Sequence, residues 1–455
     1  MVLNMSSKPE LFGTDGIRGV AGEYPLDQVT VLMIGSALGT VLKRSSSPVR
    51  VVLGKDTRES NEWISHALAS GIASTGAQVC DAGIITTPGV AFLTRQHEFS
   101  AGVMISASHN PYQDNGIKVF SSAGTKLAEA QELEIERQLK DLAELPDFQE
   151  NAAQDVSRWV EGYVEHLASL IPAGHDFSRY RLVVDCANGA ASRVAPLLLG
   201  QLGIEGHLLN AEPNGRNINL CCGSLHPEGL VEATRASGAD LGVAFDGDAD
   251  RAMFATREGR LADGDHVLHA IAPFLARHGN LKGSAVVGTL MTNLALEQAL
   301  ARQGIGLKRT AVGDKYVLEE MLRSGISLGG EPSGHIIFAD LSLAGDGMIT
   351  LLEVLRLLAE TGQPFGELLR GYQPFPQLIR NVRVAEKPPL ESIPTVRKTI
   401  VECCTELGER GRVVVRYSGT EPLARVMVEG ADAQAVEDHT LRIASAIELA
   451  IGSGH

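Results

Sequence analysis

The sequence lacks any stretch in which lysine and arginine are concentrated, and acidic residues outnumber basic ones. Its 455 residues include 40 Lys and Arg against 55 Asp and Glu, a formal net charge of −15 at pH 7. An acidic chain without a basic stripe argues against nucleic acid as the main partner. Small anionic ligands are still compatible with this charge, because local arginines and backbone amides decide their binding.

Long apolar runs and cysteine pairs with the spacing of zinc sites are also missing. No segment approaches the ~18 uninterrupted apolar residues of a membrane span, and residues 1–10 lack the apolar region of a secretory signal. The six cysteines contain no C-x-x-C pair, so zinc or thioredoxin-like chemistry has no support. We therefore expect a cytoplasmic protein with free thiols and no membrane partner.

Three segments of the chain share one pattern. Each starts with a β-branched run, at 49–53, 181–185 and 285–288, and passes through a polar turn into an apolar-periodic helix that stops at a glycine. Such units favour parallel strands packed against their helices. They predict three similar α/β/α domains with mixed sheets, the alternative being one large sheet of unrelated units.

The tail follows a different pattern. Residues 413–417 and 423–429 are typical of two strands joined by a turn, and 433–449 are typical of one amphipathic helix. This arrangement predicts a smaller α+β domain at the C-terminus. The domains are predicted to span 1–156, 157–258, 259–372 and 373–455.

A serine follows an apolar strand at 102–105. Ser108 lies among turn-forming residues in the hexapeptide S-A-S-H-N-P, where a hydroxyl would be exposed and fixed. The loop is not a hydrolase elbow, which requires G-x-S-x-G. Neighbouring side chains on extended backbone point apart, so we do not expect Ser108 to pair with His109. For the hexapeptide alone, a simple turn is the alternative.

Three aspartates follow another apolar strand, at 241–245. Asp246, Asp248 and Asp250 stand at alternate positions in D-G-D-A-D-R and can converge on one hard cation. An EF-hand is unlikely, because arginines occupy its sixth and twelfth positions. Mg²⁺ prefers a few carboxylates plus a phosphate oxygen, so the triad predicts a phosphorylated partner that Arg251 could also bind. A solvated acidic turn is the alternative.

A glycine-rich loop lies between two apolar runs. Glu331, Ser333 and His335 bring a carboxylate, a hydroxyl and an imidazole together in G-E-P-S-G-H. Such a set can bind the neighbouring hydroxyls of a sugar. An ordinary glycine-rich turn explains this loop equally well.

The turn between the two tail strands combines arginines with hydroxyls. It offers a phosphate nest made of Arg416, Ser418, Gly419, Thr420 and Arg425. The alternative is a hairpin with surface arginines. A further turn, F-G-T-D-G-I-R-G near the start, places Arg18 between two glycines.

Together and in this order, the five motifs resemble the α-D-phosphohexomutase superfamily across nearly the whole chain. The resemblance implies four domains around a central cleft, three alike and the last a smaller α+β domain. It is strongest to the members that act on glucosamine phosphates. The features behind that are G-T-D-G-I-R-G near the start, N-I-N with C-G-S and H-P-E at 217–228, and A-V-G-D-K-Y at 311–316.

The resemblance also implies roles for these residues. Ser108 would rest as a phosphoserine and, with Asp246, Asp248 and Asp250, hold one Mg²⁺. Acid/base and charge-stabilising work would fall to three residues: Lys118, His109 and Arg18. Substrate would be bound by the remaining motif residues: Arg251, Glu331, Ser333, His335, Arg416, Ser418, Gly419, Thr420 and Arg425.

The implied reaction is the isomerisation of glucosamine 6-phosphate to glucosamine 1-phosphate. It would pass through glucosamine 1,6-bisphosphate, which is also the activator, and would supply cell-wall precursor synthesis. We expect a monomer or homodimer with a hexosamine phosphate as partner. The alternatives are a phosphomannomutase/phosphoglucomutase, a haloacid-dehalogenase-like phosphatase with Asp246 as nucleophile, and a non-catalytic sugar-phosphate sensor.

Electrostatics supports the implied metal. A phosphoserine adds about −1.5 to −2 charges to the three aspartates. At ~4 Å each pair of like charges costs on the order of 4 kcal/mol at an effective dielectric near 20. A phosphorylated Ser108 beside this triad would therefore require a divalent cation.

Overall fold

The structure is a computed structural model that describes residues 9–45, 48–172, 174–418 and 421–452. Within these residues the chain forms four sheets in sequence order, of seven, five, four and three strands. No helix in the described part of the chain is long and apolar enough to cross a membrane.

The first unit is built on the seven-stranded sheet. Its elements are β1 Phe12–Gly13, β2 Gly16–Val20, α1 Gln28–Lys43, β3 Arg50–Lys55, α2 Asn61–Ser74, β4 Gln78–Ile84, α3 Thr87–Gln96, β5 Ala101–Ile105, β6 Asp114–Ser121, α4 Glu129–Lys140 and β7 Ala153–Asp155. The strand order is β1-β2-β6-β5-β3-β4-β7. β3 pairs in parallel with β4 and β5, whereas β5 and β6 form an antiparallel hairpin.

The second unit repeats this plan with fewer strands. Its elements are α5 Val160–Ser169, β8 Arg181–Asp185, α6 Ala191–Leu202, β9 Glu205–Leu209, α7 Glu228–Ser237, β10 Leu241–Phe245, β11 Ala252–Thr256 and β12 Leu261–Ala262. β8 is parallel to β9 and β10, and β10 and β11 form the antiparallel hairpin. The predicted boundary at residue 258 falls in the turn between β11 and β12, which pair in this same sheet.

The third unit repeats the plan again. Its elements are α8 Gly264–Arg277, β13 Ala285–Thr289, α9 Leu294–Ala301, β14 Gly306–Thr310, α10 Asp314–Ser324, β15 Leu328–Gly330, β16 Ile336–Phe338, α11 Gly347–Thr361 and α12 Phe365–Leu368. β13 is parallel to β14 and β15, and β15 and β16 form the hairpin. The parallel pairing predicted for all three repeated segments is confirmed.

The fourth unit is a smaller antiparallel sheet with helices. Its elements are β17 Gln377–Arg383, α13 Pro394–Leu407, β18 Gly411–Tyr417, β19 Leu423–Gly430 and α14 Ala433–Ile451. β19 lies between the other two strands and is antiparallel to both. Its buried apolar side chains form a cluster of their own, whereas another cluster runs through the first three units. The predicted combination of three α/β/α units and one α+β unit is therefore confirmed.

The four hairpins place the sequence motifs. The serine loop follows β5, the aspartate triad joins β10 to β11, the glycine-rich loop joins β15 to β16, and the arginine-containing turn joins β18 to β19. β5 and β10 are buried along their whole length, which is typical of central strands covered on both faces. Because these strands are rigid, the side chains at their ends are held in fixed positions.

Candidate active site

Ser108 lies at a turn with left-handed backbone and is almost completely buried, with a φ of 53°. Its Oγ donates a hydrogen bond to Asp246 Oδ2 at 2.6 Å and lies 3.2 Å from His109 Nδ1. The prediction that the two neighbouring side chains point apart was wrong. It assumed extended backbone, whereas a positive φ turns the serine toward the histidine.

The serine loop is fixed by groups from two units. The Ser108 amide donates to Ser106 Oγ at 2.9 Å, and Asn219 Nδ2 donates to the Ser108 carbonyl at 2.8 Å. Gly247 also lies against that carbonyl, since a Cβ added there would be 2.5 Å from the oxygen. Only glycine allows the loop that carries the three aspartates to approach the serine loop this closely.

A buried ion pair supports the same loop from below. Arg58 Nε and Asp56 Oδ2 are 2.9 Å apart, and neither side chain is exposed to solvent. Arg58 Nη2 donates to the Ser108 carbonyl at 3.0 Å, and Asp56 Oδ2 accepts from Ser106 Oγ at 2.6 Å. The sequence alone assigns no role to Asp56, Arg58 or Asn219, although Asn219 lies in the N-I-N motif. The only signal for the ion pair was the D-T-R at the end of a buried strand.

The ion pair gives a stability prediction. We expect Arg58→Met to destabilise the protein by about 3–5 kcal/mol, because Asp56 would remain buried and charged without its partner. Urea unfolding followed by circular dichroism measures this change. Arg216→Met is the matched control, because Arg216 pairs with Glu59 at the surface, where such a pair contributes about 0–1 kcal/mol. Equal effects of the two substitutions would contradict the buried role of Arg58.

The three aspartates converge as predicted. Asp246, Asp248 and Asp250 are buried, and one carboxylate oxygen from each lies within 4.8 Å of the others. Burial, followed by the charges of Asp250 and Asp248, raises the pKa of Asp246 well above its usual value. Asp248 Oδ1 and Asp250 Oδ1 are buried and have no hydrogen-bond partner among the described residues. Buried, unpartnered carboxylate oxygens are what a hard divalent cation binds, so the triad fits Mg²⁺.

Lys118 faces the triad from β6. Its Nζ lies 2.8 Å from Asp248, 3.1 Å from Asp15 and 3.5 Å from Asp250. Burial by itself lowers the pKa of Lys118, but the three carboxylates outweigh it and raise that pKa above its usual value. The side chain is therefore a fixed ammonium suited to stabilising negative charge.

The other two residues predicted beside Ser108 also lie close to it. Arg18 Nη1 donates to the Ala107 carbonyl at 2.6 Å, and its Nη2 pairs with Asp15. Burial, together with the charges of Arg251 and Arg18, lowers the pKa of His109 to about 4. His109 is therefore neutral at pH 7, and one of its ring nitrogens can accept a proton.

The glycine-rich loop rests directly on the triad loop. The Ala252 amide donates to the Gly334 carbonyl at 3.0 Å, so the two hairpin turns are hydrogen-bonded. Glu331 Oε1 accepts from the Gly313 amide at 3.0 Å, and Ser333 Oγ is buried without a hydrogen-bond partner in the described part of the chain. An unpartnered buried hydroxyl is costly unless a ligand satisfies it.

His335 and Arg251 approach the same aspartates. His335 Nδ1 is 3.7 Å from Asp250, and Arg251 Nε is 3.8 Å from Asp250 and 4.0 Å from Asp246. Burial by itself lowers the pKa of His335, but Asp250, Asp314 and Glu331 outweigh it and raise that pKa to about 9. The structure therefore brings together the residues predicted on the first three loops.

The fourth loop stands apart. Arg416 and Arg425 are opposite each other in the β18–β19 pair, and Ser418 Oγ accepts from the Glu421 amide at 3.3 Å. Gly419 and Thr420 lie outside the described residues. Within residues 9–45, 48–172, 174–418 and 421–452, no hydrogen bond or ion pair links this turn to the serine loop or the triad.

Four family models match the chain in order. They describe phosphoglucomutase/phosphomannomutase alpha/beta/alpha domains I, II and III and the C-terminal domain, and they match residues 9–145, 161–259, 263–375 and 380–446. The four matches together cover most of the sequence and keep the order of the four sheets.

Relatives and solved structures agree with these matches. Phosphoglucosamine mutases of Koribacter versatilis and Solibacter usitatus are 50% and 49% identical; the alignments cover 99% and 97% of this chain and 100% and 99% of theirs. A phosphoglucomutase/phosphomannomutase family protein of Burkholderia thailandensis superposes with a TM-score of 0.80 at 25% identity, over 97% of both chains. The N-acetylphosphoglucosamine mutase of Aspergillus fumigatus, solved with GlcNAc-6P and magnesium, shares the fold at 21% identity and a TM-score of 0.71, over 98% of this chain and 96% of that one.

Proposed function

The chain belongs to the phosphoglucomutase/phosphomannomutase family, and from that premise we propose that it interconverts glucosamine 6-phosphate and glucosamine 1-phosphate. The relatives that support this substrate are phosphoglucosamine mutases that align over nearly their full length. The observation that carries the reaction type is the 2.6 Å contact between Ser108 Oγ and a buried triad of carboxylates. A serine hydroxyl beside a carboxylate triad of this kind is suited to carrying a phosphate.

The first half-reaction starts from phosphorylated Ser108. The bond between phosphorus and Oγ breaks while a bond forms from the same phosphorus to the free hydroxyl oxygen of the sugar phosphate. The hydroxyl proton passes by way of His109, 3.2 Å from Oγ, to the departing serine oxygen. Phosphoryl transfer needs little covalent help, so positioning and charge dominate. The ammonium of Lys118 and the guanidinium of Arg18 supply positive charge beside the serine loop.

The second half-reaction regenerates the phosphoserine. The intermediate, glucosamine 1,6-bisphosphate, turns over, and Ser108 Oγ attacks its other phosphate. The Oγ–P bond forms as the bond from phosphorus to the sugar oxygen breaks. His109 Nδ1, 3.2 Å from Oγ, is placed to take the serine proton and to return it to the leaving sugar oxygen.

One Mg²⁺ would be held by Asp246, Asp248, Asp250 and a phosphate oxygen on Ser108. When bound, this cation neutralises the charge that the phosphate and the carboxylates accumulate. The two unpartnered carboxylate oxygens of Asp248 and Asp250 support this assignment.

The remaining loops would grip the substrate. The Glu331 carboxylate would accept hydrogen bonds from sugar hydroxyls, and the Ser333 hydroxyl would donate one. Arg251 and His335 lie beside them. The non-reacting phosphate would be bound by the fourth loop: Arg416, Ser418, Gly419, Thr420 and Arg425. Because the fourth unit has its own core, we expect it to move as a body toward the other three when substrate binds.

An assay of substrate preference tests this proposal. The purified protein, with Mg²⁺ and a trace of the matching bisphosphate, is given glucosamine, glucose and mannose 6-phosphates in turn. We expect the highest kcat/KM on glucosamine 6-phosphate. A preference for glucose or mannose phosphate would contradict the substrate, and no turnover of any of the three would contradict the activity.

A further inference from the structure

A closed ring of alternating charges joins the first three units. We call it the charge ring; its members, in order, are Lys118, Asp15, Lys126, Asp314, His335 and Asp250. Acidic and basic side chains alternate around it, and the last member contacts the first, since Lys118 Nζ lies 3.5 Å from Asp250 Oδ2.

Within the ring, each carboxylate contacts two basic side chains with different oxygens. Outside the ring, Asp15 also pairs with Arg18, and Asp250 lies 3.8 Å from Arg251. Asp15 Oδ2 is 3.1 Å from Lys118 and its Oδ1 is 2.6 Å from Lys126. Asp314 Oδ1 is 2.7 Å from Lys126 and its Oδ2 is 3.7 Å from His335. Asp250 follows the same rule between His335 and Lys118.

The ring crosses all three boundaries between the first three units, at the pairs Lys126–Asp314, His335–Asp250 and Asp250–Lys118. Asp15, Lys118 and Lys126 belong to the first unit, Asp250 to the second, and Asp314 and His335 to the third. Asp314 stands at the start of α10, while His335 is the last residue of the glycine-rich loop. The ring therefore connects the proposed sugar-binding loop to the carboxylates beside Ser108.

The surroundings strengthen these contacts. Lys126, Asp314, His335 and Asp250 line one cavity of about 220 Å³. Its other walls are largely apolar, and include Phe120, Leu127, Leu318, Leu322 and Leu343. Charges next to apolar walls are screened less than charges in water, so a missing member leaves its neighbours poorly compensated.

We propose that the charge ring holds Lys118 in its place beside Ser108 and sets the third unit against the first two. Lys126 and Asp314 act in it as positioning residues for the proposed phosphoryl transfer. Within the described part of the chain, neither forms a hydrogen bond or ion pair with Ser108, Asp246 or Asp248. Their influence on the reaction therefore passes through Asp15, Lys118 and His335. This inference rests on the proposed function.

Loss of Lys126 leaves two carboxylates facing each other. Asp15 and Asp314 would then repel across the gap, and Asp15 would keep Arg18 and Lys118 as partners, the second of which it shares with Asp248. A displacement of about 1 Å at a reacting group can lower a rate by roughly a hundredfold. The loss is expected mainly in kcat, because neither substituted residue binds the substrate directly, and the link through His335 to the sugar-binding loop leaves room for a smaller change in KM.

Lys126→Met and Asp314→Asn test the ring, with Lys126→Arg as the conservative variant. Lys315→Met is the matched control: Lys315 follows Asp314 directly and pairs with Glu132 of the first unit at 3.6 Å, outside the ring. We measure kcat and KM with glucosamine 6-phosphate. We also measure amide hydrogen exchange of the substrate-free, magnesium-free protein over residues 12–20, which contain Asp15.

We expect Lys126→Met and Asp314→Asn to lower kcat by roughly ten- to a hundredfold, with KM changed less than about threefold. Exchange over 12–20 should be faster in both variants. Lys126→Arg should recover most of kcat, and Lys315→Met should change neither quantity. Asp314→Asn keeps the side-chain shape, so it tests the ring even if Lys126→Met does not fold.

Two results would overturn the ring. One is a kcat within about twofold of wild type for Asp314→Asn together with unchanged exchange over 12–20. The other is an equal loss in Lys315→Met, which would assign the effect to any contact between these units. A wild-type protein inactive on all hexose 6-phosphates refutes the proposed function instead, while the exchange comparison still decides whether the ring holds these loops.

Discussion

Replacing Ser108 with alanine is expected to lower the turnover of glucosamine 6-phosphate by roughly 10⁴-fold or more, because the reaction loses its phosphate carrier. Alanine adopts the backbone of Ser108 at a φ of 53° with no greater strain than serine, so the loop should keep its shape. The change removes the Oγ contacts to Asp246 and His109 and leaves other contacts of the loop in place. A coupled assay of glucosamine 1-phosphate formation measures the loss.

Ser74→Ala is the control for this substitution. Among the residues that the structure describes, the Ser74 hydroxyl bonds only to the Gly71 carbonyl of its own helix, so activity should be unchanged. Thermal unfolding checks that both variants are folded. A Ser108→Ala enzyme that retains a tenth or more of wild-type turnover would refute a mechanism in which this serine carries phosphate.

Replacing Asp248 with asparagine is expected to lower turnover by roughly 10³-fold, because the triad loses one of the charges that hold the cation. Asparagine keeps the size of the side chain, yet it can no longer pair with the Lys118 ammonium 2.8 Å away. Titration calorimetry should show Mg²⁺ binding weakened by more than about a hundredfold. Treating the wild type with a chelator should abolish turnover, and added Mg²⁺ should restore it.

Asp240→Asn provides the comparison. Asp240 precedes β10 and accepts from the Arg181 amide at 3.0 Å, whereas the triad begins at the other end of that strand. Its loss should leave Mg²⁺ binding and kcat close to wild type. If Asp248→Asn bound Mg²⁺ as tightly as Asp240→Asn does, the triad would not be the metal site.

Much of the fold could be predicted from local patterns. The strand at 181–185 was located to the residue, because a buried β-branched run between polar flanks has few other solutions. The apolar periodicity after the N-G turn predicts a helix over 195–202, whereas α6 begins four residues earlier, at Ala191, because the turn is shorter than expected. The predicted first residue of a helix is inexact wherever the preceding turn can be formed by as few as two residues or as many as five.

The fourth unit shows where such patterns fail. The sequence pattern predicts two strands there, and the structure has a third, β17. Six of the seven residues of β17 are exposed, so its apolar residues do not alternate with a buried face. An edge strand of this kind is defined by its partner, here β19, and not by its own sequence.

The candidate site divides in the same way. Motif residues such as Asp246 and Lys118 carry recognisable chemistry, and the predicted convergence of the three aspartates is confirmed. No chemical role can be recognised in the sequence for Asp56, Asn219 or Lys126, because each acts through contacts with residues far along the chain. Asn219, for example, donates to the carbonyl of Ser108, 111 residues away. Groups that hold a loop are visible only after the fold has brought them together.

The most direct test of the account is to find where the phosphate rests during turnover. The dephosphorylated protein is incubated with glucosamine 1,6-bisphosphate, and the modified residue is identified by tandem mass spectrometry of peptides prepared in acid. We expect phosphate on Ser108, as an acid-stable ester that is lost when glucosamine 6-phosphate is added. Phosphate found on Asp246 as a hydroxylamine-sensitive acyl phosphate, or sustained turnover with Ser108 unmodified, would contradict it.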